Sequence, residues 1–260
     1  RHAPVQRALR IAILTDKINA QSTSRIATAA YERGHVVETL IAEELALAFD
    51  NFTPSLTLGE STLGHFDYVL PQFDIDEKPF AMHALRQLEL MGSTPLNSAG
   101  SLATLNDPVA VRQLLMANRI PTLGPDRIEN STVTDHQDAA PPSRATRLLV
   151  IGRNIVAAIR MEAGRGTAPF LSPIEQSIRR IAHNTARVLK LRLLSIDVTQ
   201  SDGINYVTFV NPMPRLSEFK ILTGLAAEPL IIAEAEIQSR SWARHRGSDL
   251  ESRIAKQEST

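Results

Sequence analysis

The chain has 260 residues, which suits one large domain or two small ones. Hydrophobic residues make up 43% of it and charged residues 22%, values that exclude a disordered chain, a coiled coil or a collagen-like fibre. Lysine plus arginine equal aspartate plus glutamate at 28 each, so the basic excess of a broad nucleic-acid or acidic-lipid surface is missing, and the absence of cysteine removes disulfides, thiolate metal sites and a cysteine nucleophile.

No apolar run approaches the roughly 20 residues that cross a bilayer. The most apolar stretch near the C-terminus, Pro229 to Ile237, is interrupted by Glu234 and Glu236. The segment Arg1 to Arg10 is basic but has no hydrophobic centre, so it does not read as a signal peptide, and a start at Arg1 instead of Met suggests trimming. Together these features imply a soluble cytoplasmic protein with no membrane and no nucleic-acid partner. The basic set is biased, with 23 arginines against 5 lysines.

Taken in chain order, Arg10 to Thr15 is a short β-branched run suited to a buried strand. Ser22 to Arg33 has helical spacing, with Gly34 at the C-terminal cap position. Strands follow at His35–Leu40 and Phe66–Leu70, the latter ending at Pro71. Pro79 to Met91 is a second helix closed by Gly92, and Thr94–Asn97 a further short strand. This alternation predicts a mostly parallel sheet, a Rossmann-like α/β layer over residues 9–97. Asp107-Pro108 opens a helix, with aspartate as N-cap and proline at the first helical position. Residues 98–144 are thus a connecting helix and a polar, proline-bearing linker.

The last third, 145–246, reads as α+β. Arg147–Ile151 and Ile155–Ile159 form a hairpin around Gly152-Arg-Asn154. Ser172-Pro-Ile-Glu175 reads as a capping box that starts a helix running to about Leu189. A second hairpin joins Leu193–Thr199 to Asn205–Asn211, and a final helix covers Pro229–Arg246 before a polar tail, 247–260.

The phrases Ala84 to Ser93, Pro95-Leu-Asn97, Asn106-Asp107 with Arg112 to Leu115, Leu148 to Gly152 with Val156 to Ile159, Ser195 to Val198 and Val210-Asn211 occur in the order found in the RimK-type branch of the ATP-grasp ligases, which the chain resembles from Leu9 to Ile232. The resemblance implies a pre-ATP-grasp domain followed by the C-terminal lobe of an ATP-grasp unit. It also implies ligase chemistry, in which ATP and magnesium activate a carboxylate as an acyl phosphate and an amine attacks it.

Several positions depart from that pattern. Only 17 residues separate Ile128 and Arg144 inclusive, too few for the central nucleotide-binding lobe. The family's lysine after the helix-opening aspartate is Pro108 here, and its Asp-x-Arg strand start is Ala145-Thr-Arg147. By resemblance, Asp197 and Asn211 match two magnesium ligands, while the glutamate between them is replaced by Phe209. The expectation is a vestigial metal site at Asp197 and Asn211, no catalytic residue, and no resident cofactor, with ATP and magnesium as the alternative.

Plainer readings stand beside these. Asp197 is either a relic ligand or a strand-end carboxylate at a turn; Asn211 before Pro212 is a turn residue or a ligand. Asp74, Asp76 and Glu77 form an acidic loop, His83 and His183 are helix-surface residues, and Arg240, Arg244 and Arg246 near Trp242 are a basic–aromatic patch or cations at a helix C-terminus. Phe209 is expected to be buried between the hairpins. The functional expectation is a non-catalytic RimK-like homologue that acts as a protein-binding or assembly subunit, partnered by itself or by an active homologous ligase. The alternatives are a carboxylate–amine ligase whose nucleotide site is completed by a partner chain, and a small-ligand sensor using the cleft at the C-terminal ends of the first sheet.

Overall fold

The computed structural model describes residues 7–16, 21–50, 53–75, 78–123 and 144–240. Strand β1 (Arg10–Thr15) is buried along nearly its whole length, as a β-branched run at the centre of a sheet should be. Helix α1 (Gln21–Glu32) turns Ile26, Ala29 and Ala30 inward, and Gly34, at φ 79°, ends the segment and lets the chain return as β2 (Val36–Ile41). Strand β6 (Tyr68–Gln72), helix α2 (Pro79–Leu90) and the two-residue β7 (Thr94–Pro95) complete a parallel sheet of order β2-β1-β6-β7. This is the Rossmann-like layer expected from the alternation of elements.

Pro71 does not end β6 but lies within it, opposite Leu14 of β1. The carbonyls of Asp67 and Val69 accept from Thr94 and Leu96, so the Pro71 nitrogen faces the same side, beyond the end of β7, where no donor is missed. A separate antiparallel sheet, β3 (Leu45–Asp50), β4 (Thr53–Leu58) and β5 (Ser61–Thr62), occupies a stretch to which the sequence pattern assigned nothing. The Gln87 side chain of α2 donates to the Ala48 and Ser55 carbonyls at 3.1 and 3.0 Å and fastens this sheet to the helix.

Two helices, not one, follow β7. The hydroxyl of Ser98 caps α3 (Ala99–Leu105), and Asp107 caps α4 (Pro108–Ala117) through a 2.9 Å bond from the Ala110 amide, with proline at the first position as expected. The linker lies outside the described residues, apart from Leu123 and Arg144 at its flanks. The C-terminal half is an antiparallel sheet of order β10-β9-β8-β11-β12, from β8 (Arg144–Ile151), β9 (Asn154–Glu162), β10 (Arg165–Pro169), β11 (Leu193–Ser201) and β12 (Ile204–Asn211). Strand β10 occupies a stretch to which the sequence pattern assigned no element. The left-handed pair Ala163 and Gly164 makes a tight hairpin turn there.

Helix α5 (Gln176–Val188) begins after Glu175, so Ser172–Glu175 is not its capping box. Helix α6 (Leu216–Thr223) is an addition, and the last helix, α7, spans 228–240 within the described residues. No helix among the described residues is long and apolar enough to cross a membrane.

Both halves share their core. One cluster joins Leu14, Leu85 and Leu88 to Leu148, Val150 and Ile196. The other joins Ile11, Ile13 and Leu70 to Leu149, Leu193 and Ile231. Helix α7 adds polar fastening: buried Glu236 accepts from Arg33 Nε and Nη2, both at 2.7 Å, and lies 3.0 Å from His35 Nε2. The Leu9 amide donates to His35 Nδ1, which leaves Nε2 as the hydrogen donor toward Glu236.

Candidate functional site

Cross-strand pairing sets one lateral row on the C-terminal sheet. Ile159 of β9 lies opposite Arg147 of β8, Arg147 opposite Asp197 of β11, and Asp197 opposite Phe209 of β12. Directly paired residues share a face, so these four side chains emerge side by side. The register shifts immediately after Asp197: Val198 pairs with Val207, leaving Thr208 as the extra residue of a bulge. The Thr208 hydroxyl donates to the Asp197 carbonyl at 3.2 Å and holds the distortion.

The Asp197 side chain is only 9% exposed, and both its oxygens are taken. Arg147 Nε donates to Oδ1 at 2.7 Å and Nη2 to Oδ2 at 2.8 Å, a bidentate fork. Arg147 Nη1 also donates to Glu218 Oε2 of α6 at 3.3 Å. The Gly166 amide of β10 donates to Glu218 Oε1 at 3.0 Å, and a side chain at Gly166 would press on that oxygen at 2.8 Å. One buried cation therefore bridges two carboxylates from two elements. The hydrogen bonds that Arg147 donates to Asp197 hold its guanidinium above its ordinary pKa, against the opposing effect of burial.

Asn211 is two register positions away, opposite Ser195. Its Oδ1 accepts the Met213 amide at 2.8 Å, the turn geometry that a residue before proline favours. Phe209 is 51% exposed, not buried as expected. It stands on the outermost strand of the sheet, two residues from the isolated bridge between Thr122 and Val207, and about half of its surface is open to solvent.

A magnesium ion bridging a triphosphate needs several oxygen ligands at once. In this arrangement Asp197 gives both oxygens to a guanidinium, Asn211 gives its oxygen to the backbone, and Phe209 has none. The residues present do not fit the ion. Among the described residues no group of three or more histidine, aspartate or glutamate side chains could hold a metal. Asp197 is therefore an ion-pair partner, not a turn cap. Glu218 and Gly166, which complete the network, carried no motif in the sequence; Arg147 did, as the retained half of a strand-start pair.

The other sequence candidates are dispersed. Asp74 is exposed, and Asp76 and Glu77 lie outside the described residues. Both His83 and His183 are exposed on helices. Arg240 donates to the Glu236 carbonyl at 3.2 Å, while Trp242, Arg244 and Arg246 lie outside the described residues.

Comparison with known proteins places this architecture. Residues 9–102 match the RimK PreATP-grasp domain. The ribosomal protein bS6–L-glutamate ligase of Escherichia fergusonii is 26% identical over 278 positions, covering 84% of this chain and 92% of the ligase. Since 84% of 260 residues is about 218, roughly 60 of the 278 aligned positions face a gap in this chain. Among solved structures, the ATP-grasp ligase PsnB in complex with a minimal precursor, Mg and ADP superposes with a TM-score of 0.65 at 14% identity, over 86% of this chain and 98% of that one. The RimK domain ATP-grasp protein of Sphaerobacter thermophilus does so with a TM-score of 0.62 at 16% identity, over 87% and 99%. At those identities the superpositions speak for the fold alone. The matched N-terminal domain, the ligase relatives and the shared fold together support a RimK-type ATP-grasp family for this chain.

Proposed function

We propose that this chain is a cytoplasmic, non-catalytic member of the ATP-grasp ligase family that serves as a protein-binding or assembly subunit, joined to a second copy or to an active homologous ligase. The observation that supports this reading is the state of the site as a whole: Asp197 gives both oxygens to Arg147, Asn211 gives its oxygen to the backbone, and Phe209 stands where the family pattern has a glutamate. A guanidinium cannot exchange with substrate, and its release from a buried carboxylate is costly.

A second reading is a carboxylate–amine ligase, using ATP and magnesium, whose nucleotide site is completed by a partner chain. It is supported by the ligase relatives and by exposed Phe209 and Ile204 on the outermost strand. The two readings separate in one assay. The purified chain is incubated with magnesium, ATP and glutamate, and ADP is followed over time. The first reading predicts ADP at the level of the no-enzyme control; ADP formation that Asp197→Asn abolishes would establish the second.

A further inference from the structure

The last described turn of α5, the β8–β9 turn and the start of β11 enclose a cavity of about 710 Å3. Arg153, Arg187, Lys190 and Arg192 line it, with His183 at its side and no acidic residue among its lining. In a chain of zero net charge this is a local concentration. From Gln176 to Arg192 there are five lysine or arginine residues and no aspartate or glutamate. Arg192 is partly offset by Glu234 behind it, at 3.4 Å. Arg153, Arg187 and Lys190 have no ion-pair partner among the described residues.

The helix dipole does not account for this charge. Cations near a helix C-terminus serve its last carbonyls, but here backbone amides already do so. Leu189 donates to Thr185, Lys190 to Arg187 and Leu191 to Ala186, at 3.0, 3.2 and 2.9 Å. The N-terminal half of the same helix carries Arg179 and Arg180 and no acid in its first turn, the opposite of dipole compensation. Lys190 itself sits at φ 55°, a left-handed position at which glycine usually ends a helix. A lysine is kept where the backbone favours glycine.

We propose that this cavity is a binding site for a soluble small molecule bearing two phosphate groups. Its size falls in the range of about 300–1,000 Å3 typical of small-ligand pockets. Arginine forks match phosphate oxygens pairwise, and lysine adds a point charge. Two phosphates, each carrying about −1.5 to −2 charges, match the three uncompensated cations. The site is separate from the Arg147–Asp197 network: Arg192, just before β11, and Asp197 within it are five residues apart, about 17 Å along an extended chain.

The test is thermal unfolding in sodium pyrophosphate at constant ionic strength without magnesium. The melting temperature should rise saturably, because a ligand bound to the native state stabilises it. Arg153→Gln and Arg187→Gln should each raise the half-saturating concentration about tenfold, equivalent to about 1.4 kcal/mol. Lys190→Gly separates function from folding: it should raise the ligand-free melting temperature while weakening the response to pyrophosphate. No saturable rise in the wild type, an equal rise in the Arg153→Gln/Arg187→Gln double variant, or stabilisation by duplex DNA that pyrophosphate does not compete with, would each overturn the proposal.

Discussion

Arg147 and Asp197 have side chains 16% and 9% exposed, so each charge depends on the other for its solvation. Removing one partner of a buried pair leaves the other uncompensated and typically costs about 3–5 kcal/mol, whereas replacing both by apolar groups can be nearly neutral. Arg147→Met should therefore lower unfolding free energy by about that amount in urea denaturation, and Asp197→Leu added to it should recover most of the loss. Equal stability of Arg147→Met and wild type would mean that Asp197 finds another partner or water. Phe209 belongs to the same row but to a different regime. A ring that is half exposed contributes far less to stability than a core ring.

At the scale of elements, Asn97 does more than its place in a short sequence phrase suggested. It is 1% exposed at the end of β7 and reaches into the other sheet. Its Oδ1 accepts the Arg192 and Leu193 amides at 2.8 and 3.2 Å, and its Nδ2 donates to the Leu193 and Pro212 carbonyls at 2.8 and 3.4 Å. Asn97→Ala orphans several buried backbone groups and should cost about 2–3 kcal/mol in the same assay. A loss below 0.5 kcal/mol, the usual scale of surface changes, would show that water replaces the amide. Glu89 ties α2 to α3 through a 2.6 Å bond from the Ala99 amide, yet burial holds its carboxyl above the usual range against that bond and nearby Arg86. The folded chain thus keeps this proton to higher pH than the unfolded chain does. The associated stability is present below the ordinary carboxylate value of about 4.3 and is lost as pH rises through the raised folded value. Glu89→Gln should gain on wild type between pH 4.5 and pH 7 in urea midpoints; a pH-independent difference would contradict the sign.

The regular elements were legible because each carried its own local signal. Ile11–Leu14 is uniformly apolar, Asp107-Pro108 caps and opens a helix, and Asp202-Gly203 turns a hairpin. Strand β4 was not legible: its sequence, Thr53-Pro-Ser-Leu-Thr-Leu58, buries only Leu56 and is held by Gln87 from another element. Strand β10 was missed because Arg165-Gly-Thr-Ala-Pro169 has no apolar alternation and owes its form to pairing with β9. The site divides in the same way. The family resemblance grouped Asp197 with Phe209 and Asn211, and strand alternation put Phe209 and Asn211 on one face. That Asp197 would meet Arg147, 50 residues earlier, depends on the β8–β11 register, which no local pattern encodes.

For the whole molecule, the proposed function rests on a contrast between the magnesium-bound triphosphate that the family resemblance implies and a carboxylate, Asp197, that is paired with Arg147. The Arg147 fork holds that carboxylate, and the shared core clusters fix the strands that carry both residues. The most direct measurement compares thermal unfolding of wild type and Asp197→Asn, each with and without magnesium and ATP, each shift being taken from its own baseline. Anion binding at the α5 cavity contributes equally to both proteins, so the difference isolates Asp197. The account predicts the same shift in the two proteins. A magnesium-dependent stabilisation of wild type that Asp197→Asn removes would contradict it, because Asp197 would then be a metal ligand and not the fixed partner of Arg147.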